Sequence, residues 1–321
     1  MRFGVGAGTP PVSLRLRAAV VLGAVILISA AATRVANAAD DVAGFAKPQF
    51  DSHLWLELGG DWEHYTGGDA RGFPPSERFP TIGLRPTDGF GYEGRLSYRP
   101  ADSSRIFSLA VRYGRTSQRD GDNEQPFRID NSDNNQVVLT QHREHRLVAD
   151  LEAGRDVGEG EFNFFSIGSL GVRYVDFRTT TNESFGGTGP DLVLGGADVR
   201  RGLRAAGPRI AWHASMPLPP PFDDANVFLG WDVAGSVLFG RQTVQADAFG
   251  SEALSRSHAA IVPNVEGRLN FGWHVPGTTA TAKLGVRSEA FYNVLDGGVA
   301  SRHALRRIDY GPFFSVVWSL R

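Results

Sequence analysis

The sequence contains no cysteine, which excludes disulfide bonds and thiolate metal ligands. Beyond its first forty residues it also has no apolar run of the roughly 20 residues that a membrane-spanning helix needs. Neither sign of charge dominates, because 33 basic residues stand against 35 acidic ones. Without a basic excess, the chain is a poor candidate for binding nucleic acid. If it resides in a membrane, it must cross that membrane with strands that close into a barrel.

The first 38 residues carry the three parts of a secretory signal peptide. Three arginines precede the uncharged run 18–32, and Ala36-Asn37-Ala38 supplies a cleavage site of small residues. A retained anchor helix is the weaker alternative, because the run is too short to span a bilayer. The sequence therefore predicts a signal peptide over 1–38, a periplasmic N-terminal lead over 39–53 and a barrel over 54–321.

The last stretch of the chain, 307–321, alternates between two kinds of side chain. Phe314, Val316 and Trp318 fall on one face, and the polar Asp309 and Ser315 fall on the other. A period of two predicts a β-strand, and this composition is typical of a strand that lies between lipid and a wet lumen. The stretch also resembles the C-terminal signal by which bacterial outer-membrane barrels are recognised for assembly.

The same alternation recurs along the chain and predicts ten strands. We place them at 54–65, 88–99, 105–116, 145–156, 162–177, 204–216, 226–241, 258–274, 279–294 and 307–321. Long connections, at 66–87, 117–142, 179–199, 242–257 and 295–306, alternate with short turns. This pattern predicts an all-β fold: a single closed antiparallel transmembrane β-barrel of about ten strands, within a range of 8 to 12, with short periplasmic turns and long extracellular loops.

Aromatic residues fall near both ends of the predicted strands. The periplasmic ends carry Tyr98, Trp212, Trp231, Trp273 and Trp318, and the outer ends carry Tyr65, Tyr92, Tyr113, Tyr174, Tyr292 and Tyr310. Two such girdles are typical of barrels that sit in a bilayer.

The opposite face of the predicted strands is charged in both signs. The predicted pore-lining residues are Glu57, Asp61, Glu93, Arg95, Arg112, Arg146, Asp150, Glu152, Arg173, Arg209, Asp232, Glu266, Arg268, Lys283, Arg287 and Glu289. Ten strands spaced about 4.8 Å apart and tilted about 40° give a backbone radius of roughly 10 Å, which side chains nearly fill. These residues either line a narrow wet pore or pair with one another and plug it.

Folding each hairpin about its short turn, with inward residues opposite inward residues, predicts three cross-strand pairs of opposite charge. The expected partners are Glu93 with Arg112, Arg209 with Asp232, and Glu266 with Arg287.

Motifs for catalysis or metal binding are weak. Glu63, Asp88, His303 and Asp309 could gather at the outer rim as in a barrel protease, although charges on a solvated rim are the better explanation. The acidic clusters at 120–124 and 131–135 lack the glycine and glutamate that a calcium loop requires. We therefore predict no enzyme activity, no metal site and no cofactor.

Several strand segments resemble the Legionella major outer-membrane protein family. They are LWLELGGDWEHYTG at 54–67, GRLSYRP at 94–100, LVADLEAGRDVG at 147–158, GPRIAWHASMPL at 207–218 and GWDVAGSVLFGRQ at 230–242. The resemblance implies a pore-forming, porin-like protein of the bacterial outer membrane that lets small solutes or ions diffuse. A structural or adhesive barrel with a plugged lumen is the main alternative.

The expected partners follow from this location. They are outer-membrane lipid and lipopolysaccharide, the barrel assembly machinery during biogenesis and small solutes, with no nucleic acid. Assembly into a homo-oligomer is an open alternative.

Overall fold

The protein is a closed barrel of ten antiparallel strands, as predicted. The computed structural model describes residues 53–67, 88–120, 136–156, 165–187, 193–218, 227–248, 253–297, 302 and 304–320. The strands are β1 (His53–Gly67), β2 (Asp88–Arg99), β3 (Arg105–Asp120), β4 (Gln136–Asp156), β5 (Phe165–Gly187), β6 (Val193–Pro217), β7 (Val227–Ala248), β8 (Leu254–His274), β9 (Ala280–Asp296) and β10 (Ala304–Leu320). Each strand pairs with its neighbours in the chain, and β1 pairs with β10 to close the sheet. The predicted signal peptide and nearly all of the periplasmic lead lie outside the described residues.

None of the described residues belongs to a helix that is long and apolar enough to cross a membrane.

The predicted connections between β3 and β8 are too long. Strands β4 to β8 contain 21 to 25 residues each, whereas β2 contains 12. In each of the segments predicted as loops at 179–199 and 242–257, more than half of the residues therefore belong to strands. Strand β4 begins nine residues before its predicted start. Their polar composition suggested loop, but these residues continue the strand pairing of their neighbours. The acidic clusters considered for calcium lie outside the described residues, apart from Asp120 at the end of β3.

Two of the short turns, β2–β3 and β8–β9, lie within the described residues, at the end of the barrel where β1 begins and β10 ends. In the β2–β3 turn Asp102 adopts a left-handed backbone conformation with φ of 54°. In the β8–β9 turn Gly277 has φ of 75°, a conformation that glycine adopts without strain. The Thr278 amide donates to the Val275 carbonyl at 3.2 Å and closes this turn.

The two faces of the taller strands exchange their character part-way along. From its lower end, at the short turns, up to Tyr174, β5 exposes Leu170 and Val172 outward and buries Arg173. Above Tyr174, the outward side chains are Asp176 and Arg178, which form an ion pair at 2.6 Å, and the buried ones are Val175 and Phe177. Strand β6 shows the same change. In its lower part Ile210 faces outward and Arg209 is buried, whereas in its upper part Arg204 faces outward and Leu203 is buried. The lower part is apolar outside and charged inside, whereas the upper part is polar outside and buries apolar side chains together with polar ones such as Glu144 and Arg307.

A bulge redirects the outer end of β9. Arg307 of β10 lies opposite Phe291, but Leu305 lies opposite Leu295, so β9 contains two extra residues in between. Asn293 takes a left-handed conformation there, with φ of 57°. After the bulge, Val294, Leu295 and Asp296 are all buried. The end of β9 therefore leans into the barrel: it keeps its pairing with β10, whereas its pairing with β8 ends at Phe291.

Candidate functional site

All sixteen residues predicted to line a pore lie on the inward face of the barrel. Fifteen of them form ion pairs with others of the set, and Asp232 pairs with His213. Nine of them form a dense set at mid-height that we name the charge layer: Arg112, Arg146, Asp150, Arg173, Arg209, Glu266, Arg268, Arg287 and Glu289. Because their side chains are buried, this set occupies the lumen and does not merely coat its wall.

Arg173 is the hub of the charge layer. Its Nε lies 2.7 Å from Asp150 Oδ1, its Nη2 lies 2.7 Å from Glu266 Oε2 and its Nη1 lies 2.6 Å from Glu289 Oε1. The Arg173 and Glu289 side chains are 0% exposed. A buried guanidinium with three carboxylate partners uses most of its donor capacity, so the hub is held from several strands at once.

Ion pairs in this layer connect strands on opposite sides of the barrel. In the ring of ten, β3 lies five positions from β8, and β4 lies five positions from β9. Arg112 Nη1 of β3 lies 3.2 Å from Glu266 Oε1 of β8. Arg146 Nη1 of β4 lies 3.6 Å from Glu289 Oε2 of β9, and Arg146 also pairs with Glu63 and Asp309. Opposite walls are therefore in contact at this height.

The predicted cross-strand pairs have mixed outcomes. Glu93 lies opposite Arg112, as predicted, yet Arg112 pairs across the lumen and Glu93 pairs with Arg268 at 2.5 Å. The second prediction is wrong by four residues, because Asp232 lies opposite His213 and not opposite Arg209.

The third predicted pair is wrong by two residues. Glu266 lies opposite Glu289, and Arg287 lies opposite Arg268. Arg287 nevertheless approaches Glu266 diagonally at 3.5 Å. Like charges can face each other here because Arg112 and Arg173 each contact both glutamates. The hairpin rule assumed that charges satisfy their direct neighbours, whereas long arginine side chains reach across a narrow lumen.

Above the charge layer lies an apolar set that the sequence patterns did not predict, which we name the apolar layer. It consists of Val148, Val175, Phe177, Leu203, Ala205, Leu238, Ala260, Val262, Phe291, Val294, Leu295 and Leu305. Most of its large members are 0% exposed. Polar contacts surround it, including a 2.8 Å pair between Arg307 and Glu144 and a bond from Gln242 to the Asn293 carbonyl. The lumen is thus filled a second time, by ordinary core packing.

The sequence contains a weak indication of the apolar layer. Val175, Phe177 and Leu203 lie within or beside predicted strands, on the face that lower down carries charges. Their place in a buried core becomes clear only once the structure shows that the inward face changes from charged to apolar along the strand. Tyr65, predicted for the outer girdle, is also inward and buried, where it donates a hydrogen bond to Glu63.

The residues considered for catalysis do not meet. Glu63 and Asp309 are inside, both held by Arg146, while Asp88 is on the outer surface beside His64, at 3.0 Å. His303 lies outside the described residues. Ser288 borders the same outer groove as His64, but no hydrogen bond connects these two described side chains, and Tyr310 lies between them in the sheet.

Two inward histidines, His213 and His142, have hydrogen-bond partners. His213 lies 2.8 Å from Asp232 and 3.3 Å from Glu152. His142 is buried inside the barrel between Glu144 and Thr181. Among the described residues, no group of three or more His, Asp and Glu side chains could hold a metal ion.

A cavity remains at the short-turn end, below the charge layer. Its volume is about 300 Å³. Polar groups in its wall include Arg95, Glu57, Lys283 and His213, and apolar side chains such as Trp55 complete it.

Comparison with protein-family models and with curated proteins finds no match. Among solved structures, the chain is similar to the outer-membrane protease OmpT from Escherichia coli, with 9% identity over 87% of this chain and 99% of that one and a TM-score of 0.49. It is also similar to the translocator domain of the autotransporter NalP from Neisseria meningitidis, with 10% identity over 93% and 96% and a TM-score of 0.42. The toluene transporter TodX from Pseudomonas putida gives 6% identity over 84% and 89% and a TM-score of 0.29. Similarities this distant carry no argument about activity.

Proposed function

We propose that this protein is a barrel of the bacterial outer membrane whose lumen is closed to passive diffusion, and that it serves as a structural or adhesive scaffold. The outer face below Tyr174 supports the location, because large apolar side chains such as Leu170, Ile210 and Phe271 are more than half exposed there. Exposed apolar surface of this extent suits contact with lipid. The alternation of short and longer connections along the chain is typical of outer-membrane barrels, which also supports this location.

The contact between opposite walls carries the proposal of closure. Arg112 of β3 reaches Glu266 of β8, and Arg146 of β4 reaches Glu289 of β9. A hydrated ion cannot pass where side chains from diametrically opposite strands touch and exclude water. The apolar layer adds a second seal in series, because an ion would also have to enter a low-dielectric region.

A diffusion channel, as predicted from the sequence, stays the second candidate. The sixteen inward charged residues favour it, because a lumen that never conducts has no obvious need for so many charges. Conduction would require both the charge layer and the apolar layer to open. We further propose that the barrel has no enzyme activity, since the candidate catalytic groups lie on different faces.

Conductance in a planar bilayer tests the proposal. The purified barrel should give no steady current steps, and neither should Arg173→Ala, which disturbs the charge layer, or Phe177→Ala with Phe291→Ala, which hollows the apolar layer. Combining the changes removes side chains from both seals and should produce current steps. Circular dichroism confirms that each variant keeps its strands. Steady conductance in the unmodified protein would contradict closure and favour the diffusion channel.

A further inference from the structure

The cavity at the short-turn end has the character of a small-molecule site. It is enclosed by strands around the barrel and bounded above by the charge layer. Its volume of about 300 Å³ lies at the lower limit for sites that bind small molecules. Apolar side chains, namely Trp55, Ile106, Ile167 and Val317, share the wall with charged ones. Such a wall suits a compact molecule with an apolar body and one polar group.

The carboxylates of the cavity already have partners. Glu57 pairs with Lys283 at 3.3 Å and accepts a 2.7 Å hydrogen bond from Ser315. Glu152 pairs with Arg209 at 2.6 Å. Asp232 is held by His213. The acidic groups therefore have little capacity left for a cationic ligand.

Arg95 differs from the arginines of the charge layer, each of which lies 3.1 Å or less from a carboxylate oxygen. Its closest carboxylate oxygen, on Glu93, is 3.9 Å away, and that glutamate makes its short contact with Arg268 instead. The Arg95 Nε is buried without a hydrogen-bond partner among the described residues. The side chain is 16% exposed and borders the cavity. A guanidinium in this position has several N–H donors available to a ligand.

Two serines beside Arg95 add a neutral donor. Ser97 and Ser108 lie opposite each other, with their Oγ atoms 2.9 Å apart. One hydroxyl hydrogen forms this bond, and the other is left to donate into the cavity.

We propose that this cavity binds a small organic monocarboxylate, with the Arg95 guanidinium as its anchor and the apolar wall around its body. An arginine fork fits a planar carboxylate through two parallel hydrogen bonds, which gives the site its preference for this group. The inference goes beyond the proposed function, because binding requires neither conduction nor a membrane. In the proposed orientation, the site opens toward the periplasm.

Calorimetry on the folded barrel in detergent micelles tests the site with benzoate as the probe. Benzamide, its neutral analogue, and benzylamine, its cationic analogue, should bind at least about tenfold more weakly, because neither offers two acceptor oxygens to Arg95. Benzoate should also shift the emission of Trp55, the only one of the six tryptophans that borders the cavity. Equal binding of benzoate and benzamide, or no heat from benzoate, would overturn the proposal.

Arg95→Gln provides the second test. Benzoate affinity should fall about tenfold or more, since a charge-assisted interaction is lost. Circular dichroism on the unliganded variant should show that it keeps its strands, so that a loss of affinity reports on the site and not on the fold. Arg178→Gln, on the outer surface, is the matched control and should leave benzoate affinity unchanged. If Arg95→Gln binds benzoate as tightly as the parent, Arg95 is not the anchor.

Discussion

The lower and upper parts of the taller wall, β4 to β8, solve the same packing problem in opposite ways. In the lower part, Leu170 and Val172 face outward and Arg173 faces the lumen. In the upper part, Asp176 and Arg178 face outward while Val175 and Phe177 are buried. The two parts therefore differ both in the side chains that face outward and in those that fill the lumen. A transmembrane strand needs only about 9 to 11 residues, so the 23 residues of β5 extend well beyond a bilayer.

The comparison shows that one continuous sheet can fill its lumen in two ways, with ion pairs in the lower part and with apolar packing in the upper part. The lower part carries apolar residues outside and fills its lumen with ion pairs. In the upper part, the apolar core is stabilised by the hydrophobic effect. Under the proposed location in the outer membrane, the exchange of faces near Tyr174 would mark the boundary between lipid and water.

Removing the hub of the charge layer should give the largest loss of stability. In Arg173→Ala, Asp150, Glu266 and Glu289 lose a shared cation while they stay buried. We expect the free energy of unfolding to fall by about 3–5 kcal/mol, measured by urea titration in lipid vesicles. The control Arg178→Ala breaks an exposed pair and should change it by less than about 1 kcal/mol. Equal losses in the two variants would contradict a buried network.

The apolar layer is tested by two neighbouring residues of β7 that face opposite ways. Leu238 is 0% exposed and Val237 is 42% exposed. Leu238→Ala should lower the free energy of unfolding by about 2–5 kcal/mol, because it leaves a cavity in a packed core. Val237→Ala removes less volume from a face without tight packing and should lower it by less than about 1 kcal/mol. If the order of the two losses is reversed, the upper lumen is not a packed core.

The boundary itself is tested by placing an arginine on the outer face of β5 at two heights. Leu170→Arg brings a charge into the region assigned to lipid and should lower the free energy of unfolding by about 2–4 kcal/mol. Thr180→Arg lies outward above Tyr174 and should have an effect near zero, because the site is in water. Both variants are compared in vesicles of the same lipid. A similar loss at both positions would mean that the membrane boundary is not at Tyr174.

The sequence by itself determined the strand period, the number of strands and the inward face of all sixteen charged residues. These properties are local: alternation of side chains fixes which face each residue occupies, and turn residues fix where strands reverse. The pairing of Glu93 with Arg112 in the sheet could be predicted because only five residues separate β2 from β3. The pairing of Arg209 could not, because nine residues separate β6 from β7 and allow several registers.

The tertiary structure alone decided how the lumen is filled. Whether Arg112 meets Glu266 depends on the diameter of the closed ring and on strands that are more than 150 residues apart in the chain. The inward lean of β9 likewise depends on a bulge at Asn293 that no periodicity reveals. The exchange of faces above Tyr174 left the alternation intact and reversed its meaning, because a period of two shows that two faces differ but not which of them meets water.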